Sequence, residues 1–152
     1  PMPAWLTRFL ATGLYSGLSP SIPGTTGTIP AWVLLWFFLP DNLYAQVAVL
    51  VVITGLSVWL ATEAEELFGH DSKKIVIDEW AGMMVAVLFL PHTLTAYLLA
   101  FGAFRLFDVV KLWPAAQFER LPRGWGVTMD DVAAGVQANI LVQIIILIIA
   151  RV

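Results

Sequence analysis

The sequence has no cysteine, which excludes disulfides, zinc–thiolate sites, iron–sulfur clusters and a cysteine-nucleophile phosphatase. Its two histidines are too few for a multi-histidine metal site. Charge is scarce as well. Only 12% of the 152 residues are Asp, Glu, Lys or Arg, against roughly 25% in an ordinary soluble domain, so the chain cannot cover a water-facing surface in the usual way. The net charge of −3 supplies no basic field for nucleic acid. Hydrocarbon fills the gap: 59% of the residues are hydrophobic and mean hydropathy is +0.82, which excludes intrinsic disorder. The reading is a small integral membrane protein forming one domain over residues 1–152.

Uncharged runs cover residues 9–40, 42–62, 80–104 and 132–150, and about 20 apolar residues cross a bilayer core as a helix. The expected class is all-α: a polytopic protein with four to five membrane helices and a short interfacial helix near the N-terminus (4–16). A Gly/Pro/Ser/Thr stretch at 17–28 should end any helix, followed by helices at 29–39, 43–62, 75–90, 93–112 and 132–150, with turns at 40–42 and 91–92 and a polar loop at 113–128. No cleavable signal peptide is read at the N-terminus. Counted by alternate loops, seven of the eight Lys and Arg residues fall on one side and only Arg151 on the other, a positive-inside bias that puts this side in the cytoplasm. Ten of the eleven acids share that side, leaving Asp41.

Four groups on that side could carry chemistry. Asp78 and Glu79 are adjacent carboxylates at the head of an apolar helix. They are either acids that favour a helix start or ligands of a divalent cation that relieves their repulsion. Arg105, Asp108 and Lys111 recur at i,i+3 spacing, as intrahelical ion pairs or as a plus–minus–plus stripe for a phosphate beside a metal. Asp130 and Asp131 follow a Gly-containing turn. An N-cap role for Thr128 or Asp130 explains one acid and leaves the other for ligand duty. Gly24, Thr25, Thr26, Gly27 and Thr28 form either a plain turn or an anion site at a helix N-terminus. His70 and His92 read as solvated turn residues, and the seven Trp as anchors or packing.

If these groups converge, five acids with Arg105 and Lys111 make a hard-oxygen site without His or Cys, which points to Mg²⁺ and a phosphorylated ligand. The ligand should enter from the membrane plane, as an anionic phospholipid head group does. Two other classes stay open: a small cation transporter, which would spread its acids through the membrane depth, and a non-catalytic lipid-binding protein.

Taken in order, Ser19-Pro20 with Pro23-Gly24-Thr25-Thr26-Gly27-Thr28, Ile75-Val76-Ile77-Asp78-Glu79 with Gly82, Phe104-Arg105-Leu106-Phe107-Asp108 with Lys111 and Pro114, and Gly126-Val127 with Asp130-Asp131 and Ala134-Gly135 resemble the phosphatidylglycerophosphatase A family over about residues 12–150. Leu112, Glu119 and Arg123 depart from its usual pattern. The resemblance implies a bacterial inner-membrane, Mg²⁺-dependent phosphatase that converts phosphatidylglycerophosphate to phosphatidylglycerol and phosphate. Asp78, Glu79, Asp108, Asp130 and Asp131 would be its metal ligands or base. Arg105, Lys111 and the Gly24, Thr25, Thr26, Gly27 and Thr28 run would hold the phosphate on the cytoplasmic side.

Overall fold

A computed structural model describes residues 2–21, 23–69, 74–113, 115–118, 120–122 and 124–151. His70, Pro114, Glu119 and Arg123 lie outside them. The described residues form helices and no strands: α1 (Ala4–Ala11), a 3-10 turn (Ser16–Leu18), α2 (Pro23–Phe38), α3 (Leu43–Phe68), α4 (Ile77–Val87), α5 (Leu94–Val109), α6 (Ala115–Phe118) and α7 (Gly124–Arg151). The all-helical class is borne out. Among the described residues two helices, α3 and α7, are long and apolar enough to cross a membrane by length and composition, against the four to five expected. At 16 residues each, α2 and α5 are about 24 Å long, short of a full span.

Several boundaries differ from expectation for physical reasons. The N-terminal helix stops at Ala11 rather than 16, because Gly13, Leu14 and Tyr15 all adopt positive φ. The Gly/Pro/Thr stretch does not exclude helix to residue 28, since α2 begins at Pro23. Proline lacks an N–H that the first helical position does not use, and the Thr28 hydroxyl folds back on the Gly24 carbonyl at 2.7 Å. The turn after Pro40 forms as expected, because Asn42 Oδ1 accepts from the backbone N–H groups of Tyr44 (2.8 Å) and Ala45 (3.2 Å) and so starts α3. That helix runs through the polar residues 63–68 and stops only at Gly69, whose φ of 90° favours glycine.

The largest departure is α7, which starts at Gly124 rather than 132 and takes in the last five residues of the expected 113–128 loop. Asp130 and Asp131 therefore sit inside a helix, with neither acting as its cap. Thr128 is not a cap either, as its hydroxyl pairs with that of Ser57 on α3 at 2.8 Å, with both residues buried.

Helix α4 is the hub. It is buried along nearly its whole length and packs against α2, α3, α5 and α7. Its closest approach is to α7: a Cβ on Gly135 would collide with the Gly82 carbonyl, and one on Gly82 would lie 2.7 Å from the Asp131 carbonyl and against the Phe104 ring. Small residues let helix backbones meet this closely. The helix is only 11 residues long and ends inside the protein, where its last carbonyls would lack partners. The Asn139 amide supplies them, reaching the carbonyls of Val85 (2.9 Å), Ala86 (3.1 Å) and Leu88 (2.6 Å). Large apolar side chains such as Phe37, Val51, Leu147 and Ile148 face outward, as a lipid-facing surface requires.

Candidate active site

The start of α4, the end of α5, the second turn of α7 and the start of α2 meet at one end of the bundle. There α4 contributes Asp78 and Glu79, α5 contributes Arg105 and Asp108, α7 contributes Asp130 and Asp131, and Lys111 follows just beyond α5. All seven side chains come together. Arg105 pairs with Asp108 and lies 3.6 Å from Glu79 Oε1. Lys111 Nζ lies 2.7 Å from Asp130 Oδ2 and 3.5 Å from Asp108 Oδ1. The Asp131 carboxyl contacts those of both Asp78 and Asp108.

The Gly/Thr run is divided in its roles. Thr28 Oγ1 lies 2.7 Å from Glu79 Oε2, and Gly24 lies so close under Arg105 that a Cβ would sit 2.6 Å from Nη2. Gly27 faces away from the acids. It packs on Val76, and its carbonyl accepts the Trp80 indole N–H at 2.9 Å. Thr25 and Thr26 are half-buried in the same first turns of α2.

Among the described residues five carboxyl groups face two cations here, a formal excess of three negative charges, in a site where Asp78, Glu79, Asp130 and Asp131 are all buried. Buried like charges strongly disfavour one another unless a cation joins them. Three of the oxygens (Asp78 Oδ1, Asp130 Oδ1 and Asp131 Oδ2) are buried with no hydrogen-bond partner. One oxygen from each of Asp78, Asp130 and Asp131 lies within 4.8 Å of the others, and the same holds for Glu79, Asp108 and Asp131. Asp131 thus belongs to both trios. An all-oxygen donor set of this kind suits a hard divalent cation.

Burial works against the Lys111 ammonium, but its bond to Asp130 and the fields of Asp130, Asp131 and Asp108 outweigh that and hold its pKa above the ordinary lysine range. Lys111 is therefore a fixed positive charge at any working pH.

Sequence reasoning missed the role of Trp80, read with the other tryptophans as anchor or packing. Its indole bond to Gly27 fastens α2 to α4 and so holds Thr28 against Glu79. The available signal was its place immediately after the acid pair. His92 is exposed, as expected, and lies beside Trp36 and Tyr97.

Residues 9–146 match the family described as Phosphatidylglycerophosphatase A. Among curated proteins, the chain is 37% identical over 150 residues to a Bacteroides thetaiotaomicron protein provisionally named phosphatidylinositol-3-phosphatase, covering 93% of this chain and 94% of the relative. It is 40% identical over 134 residues to Phosphatidylglycerophosphatase A of Escherichia coli (85% and 77% coverage), and 33% identical over 140 residues to that of Haemophilus influenzae (89% and 85%). No solved structure matches it. The chain belongs to the phosphatidylglycerophosphatase A family and is a phosphatase.

Proposed function

We propose that this protein is a Mg²⁺-dependent lipid phosphatase that hydrolyses phosphatidylglycerophosphate to phosphatidylglycerol and phosphate at the cytoplasmic face of a bacterial inner membrane. The observation that carries the reading is the pair of carboxylate trios sharing Asp131, with three orphaned buried oxygens beside Arg105 and Lys111. Asp78, Glu79, Asp108, Asp130 and Asp131 would hold the metal. When bound, Mg²⁺ neutralises the acids and polarises a phosphoryl oxygen.

The chain's own groups do the rest. Arg105 and Lys111 take the phosphoryl oxygens, and the backbone N–H groups at the start of α2 add donors aimed at an anion. Among the described residues no serine or histidine stands in the cluster, so water attacks phosphorus, and a carboxylate of the cluster takes its proton and passes it to the glycerol oxygen, which leaves as the hydroxyl of phosphatidylglycerol. The acids gather at one end of the bundle rather than along the helices, which favours this reading over a cation path.

In the bilayer, α2 and α5 lie with α3 and α7 around α4, giving the four to five membrane helices that the charge-free runs suggest. The end bearing the acids also carries Arg105, Lys111 and Arg120, while Arg151 lies at the far end of α7, a positive-inside bias that supports a cytoplasmic site.

The test is phosphate release by the purified protein in detergent, with Mg²⁺ or EDTA, from phosphatidylglycerophosphate and from phosphatidylinositol 3-phosphate. Release from the first substrate that EDTA abolishes supports the reading. No release from either lipid overturns it, and preference for the second substrate would transfer it to the activity named for the Bacteroides relative. Arg105→Lys should lower kcat/KM about tenfold, because a lysine keeps the charge but loses the planar fork that spans Glu79, Asp108 and a phosphate.

A further inference from the structure

Helices α2 and α3 are consecutive and joined by the tight turn at residues 39–42, yet they barely touch each other, while α4 packs against both. The result is a cleft of about 390 Å³ walled by α2 and α3 and floored by α4. Leu34 and Phe38 line one wall, Ile53 and Leu56 the other, and Ile77 and Trp80 the floor. Every lining residue is apolar or aromatic, and the one indole N–H on the floor is already bonded to the Gly27 carbonyl. Protein interiors do not keep voids of this size. This one opens sideways: Leu34, Phe38 and Leu56 are exposed along its rim.

The floor of the cleft adjoins the acid cluster along the first turn of α4. Ile77 and Trp80 flank Asp78 and Glu79 on the first turn of α4, and Gly27, held by Trp80, precedes the Thr28 that meets Glu79. From Thr28 to Phe38, α2 rises about 15 Å, carrying the cleft from the level of the acids into the hydrocarbon. We propose that it takes one acyl chain of the substrate phospholipid while the phosphate lies at the carboxylates, an inference that rests on the lipid-phosphatase reading. Moving a chain from bilayer to cleft exchanges one hydrocarbon surface for another. The cleft therefore contributes orientation rather than affinity, by fixing the angle at which the head group meets the acids.

The test compares long-chain (dioleoyl) with short-chain (dihexanoyl) phosphatidylglycerophosphate in detergent. Leu34→Trp on one wall and Leu56→Trp on the other should each lower the ratio of long-chain to short-chain kcat about tenfold. Leu147→Trp, on the outer face of α7, should leave the ratio unchanged. An unchanged ratio in both wall variants, or an equal fall with both substrates, overturns the proposal.

A second measurement does not depend on turnover. Phosphatidylglycerol carrying a diazirine on one acyl chain, in vesicles with the wild-type protein, should label residues of the α2 and α3 walls ahead of the Leu147 face of α7. Uniform labelling of all outward faces overturns the chain site. If wild-type protein releases no phosphate from either chain length, the phosphatase reading fails, and the labelling alone decides whether the cleft holds a lipid chain.

Discussion

Asp131→Asn should abolish phosphate release, with kcat falling roughly a thousandfold, the scale of losing a central charged group in a preorganised site. It is the one carboxylate common to both trios, and it contacts the acids of both α4 and α5. Stability should move the other way. Without metal, burial and the neighbouring Asp78 and Asp108 disfavour a charged carboxylate at position 131, a penalty that the neutral amide does not carry. The variant should melt at or above the wild-type temperature in EDTA. Mg²⁺ at about 100 times its Kd should stabilise wild type by about 2.7 kcal/mol and the variant by much less. Thermal melts in detergent with and without Mg²⁺, beside a phosphate assay, check both halves. A variant that keeps wild-type turnover, or the full Mg²⁺ stabilisation, would remove Asp131 from the centre of the site.

Gly135→Val should harm both fold and activity although Gly135 has no side chain to place in the acid cluster. Its added carbons would meet the Gly82 carbonyl, forcing α7 away from α4. Overpacking of this kind costs about 1–3 kcal/mol. The same displacement moves Asp130 and Asp131 relative to Asp78 and Glu79, and a shift of about 1 Å at a reacting centre costs on the order of a hundredfold in rate. Gly102→Ala on α5 is the control: a Cβ there meets nothing within 4 Å, so stability should hold or rise slightly, as alanine favours helix. Melting temperature and kcat measured on both variants separate close packing from a general intolerance of glycine substitution.

The same glycines explain what the sequence concealed. Long charge-free runs and a one-sided distribution of acids marked the helical class and the end of the bundle where the acids meet. The turns at 40–42 and 91–92 marked where α3 and α5 begin, and the structure adds the side-chain caps of Asn42 and Thr93 there. The starts of α2 and α7 were hidden because Gly, Pro and Thr in a row signal a turn in a solvated chain. Between packed helices they serve instead as thin backbone for close approach, as at Gly124, where a Cβ would collide with the Val58 carbonyl. The acids were legible as motifs, but their mutual placement depends on contacts without sequence periodicity: Trp80 to Gly27, Ser57 to Thr128, and the Asn139 amide over the end of α4. The Gly/Thr run reads as one unit in sequence, yet Thr28 turns to the acids and Gly27 to Val76 and Trp80.

The helices differ in reach. At 26 and 28 residues, α3 and α7 extend about 39 and 42 Å, whereas α2 and α5 extend about 24 Å. A lipid annulus wrapped around such a lopsided barrel adjusts its thickness to match, and it dimples where the protein is short. In the proposed membrane placement, that dimple would fall on the flank of α2 and α5, beside the carboxylates, and would lower the surrounding head groups toward them. A lipid substrate would then reach the cluster by lateral diffusion along a sloping surface, with no need to be lifted out of its leaflet.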